Sequence, residues 1–116
     1  MKQFRLTPEQ IQPVAVGFGS CLASDRITVD GMPVGYMYRE NPHSEWDSDS
    51  GWRFFGGDES QEYSDDASHF ALYDVNTIAN YDPSITEFLE APPGSAFARN
   101  ADGVFVPEEP PVDPDA

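Results

Sequence analysis

Negative charge sets the first limit on how this chain can fold. Asp and Glu number 21 against 6 Lys and Arg, so the 116-residue chain carries a formal net charge of −15. High net charge with low hydrophobicity is typical of disorder. Aromatic residues nevertheless make up 13% of the sequence, and aromatic side chains at this density usually build a core. We therefore expect one folded domain, which is all that the length allows.

The same acidity excludes two classes of partner. Nucleic-acid binding depends on Lys and Arg that neutralise phosphates, and an anionic membrane surface would repel this chain. No apolar stretch approaches the ~20 residues of a membrane-spanning helix, and residues 1–5 lead into no secretory signal. Cys21 is the only cysteine, so an intramolecular disulfide is impossible. We expect a cytoplasmic protein.

The charge is concentrated in the middle and at the end of the chain. Residues 1–44 have a net charge of zero, whereas residues 45–66 carry −7. Residues 107–116 add −4 and contain four prolines, so we expect them to form an acidic, disordered tail that follows a domain at residues 1–106. Apolar residues interrupt the block at 45–66, which sets it apart from an ordinary solvated run of charge.

Turn residues divide the chain into short segments. Asp30-Gly31 lies between the apolar runs 26–29 and 34–39 and predicts a hairpin there. The turn at 100–103 predicts a second hairpin, which joins 95–99 to 104–106. Further strands are predicted within residues 14–23, at 51–55 and at 69–75.

Two proline positions predict helix starts. Thr7 and Pro8 are typical of an N-cap and first helical residue, with Gln10 at the capping-box position, and Pro13 ends this short helix. Residues 76–90 are predicted to be helical, with Asp82-Pro83 as a further start signal. Interspersed strands and helices together predict an α+β fold, with a small, mainly antiparallel sheet built from hairpins and one or two short helices packed on it.

The residues that could carry catalysis or hold a metal form no recognisable motif. The acidic stretch 47–51 does not fit the calcium loop of an EF-hand in either register. His43 and His69 are the only histidines, and Cys21 lies in an apolar strand candidate where an inert thiol is expected. We predict no catalytic residues, no metal and no cofactor, although a carboxylate cluster that binds a cation stays open as an alternative.

The strand candidate at 51–55 is the most informative cluster. Alternation places Trp52 and Phe54 on one face and Arg53 and Phe55 on the other. One interpretation is a core strand. The other is that Arg53 or Phe55 stays exposed as an anchor for a protein partner, since Trp, Tyr and Arg dominate interface hot spots and surrounding acids would steer a basic partner. The predicted partner-binding residues are Trp46, Asp49, Trp52, Arg53, Phe55, Asp58, Glu59 and Glu62.

Four blocks of the sequence resemble successive motifs of one bacterial family. They are VGYMYRE at 34–40, DSGWRFFGGDE at 49–59, NTIANYDP at 76–83 and PGSAF at 93–97. The family was long catalogued as a domain of unknown function and has been grouped with predicted immunity proteins of polymorphic toxin systems. The resemblance implies an α+β fold and a toxin as protein partner, and the acidic tail lies outside it.

Two functional hypotheses follow. The first is a non-enzymatic immunity protein that binds and blocks a toxin; nuclease toxins are basic because they bind phosphates, which suits an acidic inhibitor. The second is a small enzyme or metal-dependent regulator that uses clustered carboxylates.

Overall fold

The described part of the chain, residues 3–42, 44–45 and 48–109 of a computed structural model, is built from short strands and helices. The strands are β1 (Ser20–Ser24), β2 (Tyr36–Arg39), β3 (Asp49–Phe55), β4 (Phe70–Asp74), β5 (Ala96–Arg99) and β6 (Phe105–Pro107). The α-helices are α1 (Asp25–Thr28), α2 (Gln61–Ser64) and α3 (Val75–Tyr81). Short 3₁₀ helices span Pro8–Gln10, Ala67–His69 and Pro83–Phe88.

All six strands form one sheet in the order β4-β1-β3-β2-β5-β6. Every neighbouring pair is antiparallel except β1 and β3, which run parallel. The predicted α+β fold with a mainly antiparallel sheet is confirmed. The parallel pair arises because the chain leaves β1 through α1 and returns along β2 before it enters β3.

One face of the sheet carries the hydrophobic core. Trp52 and Phe54 of β3 are fully buried on this face, as alternation predicts, and Met37 of β2 lies opposite Phe54. Helix α3 and the 3₁₀ helix at 83–88 cover them with Ile78 and Ile85. The core is completed by Ala15, Cys21, Ala23, Ile27, Val34, Val75, Ala79, Leu89 and Phe105.

Side chains of α3 fasten the N-terminal segment to the domain. Asn76 Oδ1 accepts hydrogen bonds from the backbone N–H groups of Val14 and Ala15, at 2.7 and 2.8 Å. Asn80 Oδ1 accepts from the Gln12 N–H at 2.8 Å, and the Tyr81 hydroxyl accepts from the Leu6 N–H at 3.0 Å. The block NTIANYDP therefore has an architectural role, because its amide and phenol groups satisfy a segment that has no strand partner.

The hairpin predicted at Asp30-Gly31 is wrong. Ser24 caps a helical turn, α1, by accepting from the Arg26 N–H, so residues 25–28 are not a hairpin arm. The N–H groups of Asp30 and Gly31 then bond to carbonyls of that turn, and β2 pairs with β3 and β5 instead. An Asp-Gly pair also closes helical turns, since glycine at positive φ is a common helix C-terminal signal.

Other local predictions are confirmed or refined. The second hairpin forms between β5 and β6. The predicted strand within 14–23 forms only from Ser20 onward.

The helix predicted at 76–90 is divided, because Asp82 caps a new 3₁₀ helix that begins at Pro83, where proline cannot donate to the preceding turn. Pro107, predicted to start the tail, ends strand β6, and the Glu108 N–H bonds to the Ala96 carbonyl.

Candidate partner-binding face

Within the described residues, no long helix covers the second face of the sheet, which presents a row of apolar side chains. We call it the open face and define it by Leu22, Tyr36, Tyr38, Phe55, Phe70 and Leu72. These residues alternate with core residues along β1, β2, β3 and β4, so the sequence that builds the core also builds this face. Leu72, at its edge, keeps 50% of its surface exposed.

The aromatic rings of the open face are in contact across the sheet. The Tyr36 and Tyr38 ring centroids lie 5.8 Å apart, and Tyr38 stacks on Phe55 at 5.8 Å with an interplanar angle of 10°. Phe55 meets Phe70 edge-on at 5.8 Å. Half-buried aromatic rings in contact form a firm, apolar surface with little side-chain entropy to lose on binding.

Two adjoining grooves open on this face on either side of Phe55. One, of about 450 Å³, lies between Phe55, Leu22 and Phe70. The other, of about 430 Å³, lies between Phe55, the two tyrosines and Glu59. Ser64 of α2 borders both grooves, so this helical turn separates them at the surface.

Carboxylates lie beside the aromatic row. Burial and the nearby Glu40 carboxylate raise the pKa of Tyr38 to about 12, and burial with Glu108 raises the pKa of Tyr36. The Glu59 carboxylate accepts hydrogen bonds from the N–H groups of Gly56 and Gly57 at 2.7 and 2.8 Å, which fixes it at the wall of the second groove. The open face is thus apolar at its centre and negative at its edge.

A buried ion pair lies at the base of this face. Arg53 donates to both carboxylate oxygens of Asp49 at 2.9 Å and to Glu40 Oε2 at 2.9 Å. The Arg53 and Asp49 side chains are 2% and 0% exposed, whereas Glu40 is 51% exposed. Asp49 Oδ1 also accepts from the Gly51 N–H at 3.0 Å. These bonds brace the start of β3 against the end of β2.

The structure separates the predicted partner-binding residues into three groups. Trp46 lies outside the described residues. Trp52 belongs to the core, where its Nε1 donates to the Leu89 carbonyl at 3.2 Å, and Asp49 and Arg53 form the buried pair. The surface group consists of Phe55 and Glu59, which line a groove of the open face, and of Asp58 and Glu62, which are exposed close to them in the chain.

Within the surface group the acids differ in their contacts. Asp58 is half exposed and lies 3.4 Å from Arg26 Nε. Glu59 lines a groove of the open face, whereas Glu62 is exposed on α2 and borders a separate pocket with Tyr63 and His69. Phe55 lies at the centre of the face and borders both grooves.

Sequence reasoning missed most of the apolar surface. Alternation within each strand puts Tyr36 and Tyr38 on one face of β2, and Phe70 and Leu72 on one face of β4, but no local signal joins these faces. The pairing of β4 with β1 and of β1 with β3 brings them together. Glu40 and Glu108 were missed for the same reason, because they reach the face through the pairing of β2, β5 and β6.

The residues considered for other chemistry lie away from this arrangement. Burial, with Asp74 nearby, raises the pKa of the Cys21 thiol far above its ordinary value, so it stays protonated. His69 stacks on Tyr63 with a centroid distance of 4.0 Å, and its Nδ1 lies 2.8 Å from the Tyr63 carbonyl oxygen. Among the described residues, no three His, Cys, Asp or Glu side chains are grouped so that they could hold a metal ion. His43 lies outside the described residues.

Comparison with known proteins identifies a family. In the described residues no helix is both long and apolar enough to cross a membrane. No curated protein and no solved structure matches the chain significantly. A family model described as the immunity protein Imm33 domain matches residues 21–109, which include the whole open face and all six strands except the first residue of β1. The chain therefore belongs to the Imm33 immunity protein family.

Proposed function

We propose that this chain neutralises a protein toxin by binding it through the open face and blocking it, without chemistry of its own. An immunity role against a toxin follows from the family. The observation that supports binding through the open face is the uncovered aromatic row bordered by carboxylates. Such a face presents desolvated anchors at its centre and charge at its rim, which is the usual anatomy of a protein interface.

The charge of the chain supports a basic partner. Each of the five arginines in the described part of the chain already bonds to this chain's own carboxylates or carbonyls. The chain therefore has few cations left to balance its surface acids. A basic partner would supply them and would be attracted over long range, because a field of one sign raises the association rate. A toxin that binds nucleic acid has the required basic surface.

A second copy of the chain is a poorer occupant of the same face. Two copies with a net charge of −15 each would bring their acidic rims together, and like charges across an interface oppose association. We propose that the encounter with the toxin takes place in the cytoplasm.

The first test expresses this chain in a bacterial host together with a toxin that it neutralises, and it measures both protection of the host and binding between the two proteins. Leu72→Ser removes an exposed apolar side chain from the open face, and Val104→Ser removes one of similar exposure (56%) from the β5–β6 turn. We expect Leu72→Ser to weaken toxin binding about 5- to 30-fold, the range of a 1–2 kcal/mol contact, and Val104→Ser to leave it unchanged. Equal binding by both variants would exclude the open face as the contact surface.

The second test addresses electrostatic attraction. Glu62→Arg reverses an exposed charge on α2, beside the open face, and Glu87→Arg makes the same change on the opposite, helix-covered side. We expect Glu62→Arg to slow association with the toxin and to reduce its dependence on salt more than Glu87→Arg does. Association rates that respond to neither variant nor to salt would refute a basic partner.

A further inference from the structure

We infer that the groove between Tyr38, Phe55 and Glu59 receives the guanidinium group of an arginine from the partner. The inference deepens the proposed function and rests on it. It assigns a chemical identity to the group that fills one particular groove, which the family and the fold do not specify.

The walls of this groove suit a flat cation. Tyr38 and Phe55 lie nearly parallel, at an interplanar angle of 10°, and both border the groove. An aromatic face attracts a cation within ~6 Å of its centroid, and a guanidinium plane stacks on it while its edge stays free for hydrogen bonds. The two rings are in contact with each other, so together they form one apolar wall, which would hold one flat face of the guanidinium and leave its N–H groups directed toward the polar end.

Glu59 supplies that polar end in a fixed position. Both carboxylate oxygens are held by backbone N–H groups, of Gly56 and Gly57, and each oxygen keeps a further lone pair for another donor. No cation within the described residues pairs with Glu59. A carboxylate that is held in place before binding loses little rotamer freedom when an arginine arrives.

The chain already fills two similar corners with its own arginines. Arg26 lies 4.5 Å from the Tyr63 ring centroid and pairs with Asp30 at 3.1 Å. Arg99 lies 4.2 Å from the Phe105 centroid and pairs with Asp82 at 2.6 Å.

The groove at Glu59 repeats this combination of aromatic ring and carboxylate without a cation from the chain itself. The repeated pattern favours arginine over lysine, because a compact ammonium cannot stack on a ring and donate two parallel hydrogen bonds at once.

The test uses small probes, so it does not depend on the toxin. N-acetyl-arginine amide is titrated into the full chain and followed by backbone amide NMR shifts at about 0.15 M ionic strength, where long-range attraction is screened. N-acetyl-citrulline amide is the neutral isostere. We expect arginine amide to shift the signals of residues 55–61 and 38 with saturation, and citrulline amide to bind at least about 3-fold more weakly, as the loss of a cation–π contact implies.

Matched variants separate the groove from the general acidity. Glu59→Gln should weaken the binding of arginine amide about 3- to 10-fold. Glu62→Gln makes the same charge change on α2 and should alter this affinity less than about 2-fold. Tyr38→Leu tests the aromatic wall if Glu59→Gln disturbs the Gly56-Gly57 turn, and it should weaken binding to a similar degree.

Two results would overturn the inference: equal shifts with citrulline amide, or equal effects of Glu59→Gln and Glu62→Gln. Either result would refute arginine binding in the groove. Neither would affect the proposal that the toxin binds to the open face, because the comparison of Leu72→Ser with Val104→Ser tests that proposal separately. Arginine amide binding alongside unchanged toxin binding by Leu72→Ser would show that the groove can hold a guanidinium group, but it would refute the open face as the contact surface and with it the assignment of that group to the toxin.

Discussion

Asp49→Asn tests the role of the buried ion pair because it removes one charge and keeps the size of the side chain. Asp49 is fully buried and accepts two bonds from Arg53 and one from the Gly51 N–H. An asparagine can offer one oxygen to these donors, and its NH₂ group would face a guanidinium N–H. Arg53 would then stay buried, with the half-exposed Glu40 as a counter-charge within the described residues.

The expected cost follows from this geometry. Removing one partner of a buried pair costs about 3–5 kcal/mol, and we expect about 3 kcal/mol because Glu40 still contacts Arg53. That is a large part of the 5–15 kcal/mol that stabilises a typical domain. For a chain of this length it lowers the melting temperature by roughly 12 °C, at about 4 °C per kcal/mol. Glu40→Gln, the matched control, removes an exposed partner and should cost at most about 1 kcal/mol.

Urea unfolding followed by tryptophan fluorescence measures both variants, since Trp52 is fully buried in the folded state. The folded Asp49→Asn protein should bind toxin within about 2-fold of the unmodified chain, because the side chain contributes no exposed surface. A loss of stability below 1 kcal/mol, or a loss no larger than that of Glu40→Gln, would refute the reasoning. A large loss of affinity with normal stability would show instead that Asp49 contacts the partner.

Two further predictions concern the open face and the strand beneath it. The pKa of Tyr38 is raised from 10.0 to about 12, so between these pH values the folded state retains a proton that the unfolded state loses. The stability that Tyr38 contributes in this way is complete below pH 10 and is lost as the pH rises toward 12. Tyr38→Phe should therefore flatten the fall in stability between pH 10 and 12, and an unchanged pH profile from urea unfolding would contradict this. Gly51 has φ +89° and its Cβ would lie against the backbone oxygen of Glu40, so Gly51→Ala should destabilise the fold by more than 3 kcal/mol. Gly103→Ala, at φ +78° with open space around it, should cost about 1 kcal/mol, and thermal melts that rank the two variants equally would refute the predicted clash.

Local patterns in the sequence predicted those features that depend on near neighbours. The alternation in β3, the shared face of Tyr36 and Tyr38, and the second hairpin are all determined within a few residues of the chain. The Asp30-Gly31 hairpin failed because the same dipeptide closes a helical turn when a capping residue such as Ser24 precedes it. The hairpin and the helical turn compete for the same residues. The helical turn forms because it packs Ile27 into the core.

The candidate site depended on pairings that the sequence does not encode locally. Phe55 was predicted as a partner-binding residue. Its neighbour Phe70 lies in β4, and the two rings come into contact because β1 pairs with both β3 and β4 and so places these strands in one sheet. Trp52 and Arg53 illustrate the opposite problem. Their residue types are typical of interface hot spots, but one fills the core and the other anchors a buried ion pair. Residue type alone does not distinguish a structural aromatic or arginine from a contact residue.

The acidity of the chain and the apolarity of the open face belong together physically. An exposed aromatic surface of this kind promotes self-association unless something opposes it. Here the acids that border the face, Glu40, Glu59 and Glu108, repel another copy of the same chain and attract a surface of opposite charge. Specificity is the difference between the affinity for the partner and the affinity for another copy of the chain. The same carboxylates favour the first and oppose the second. The net charge of −15, which at first limits how the chain can fold, therefore suits the proposed function, in which a small domain keeps an aromatic face free for a basic partner.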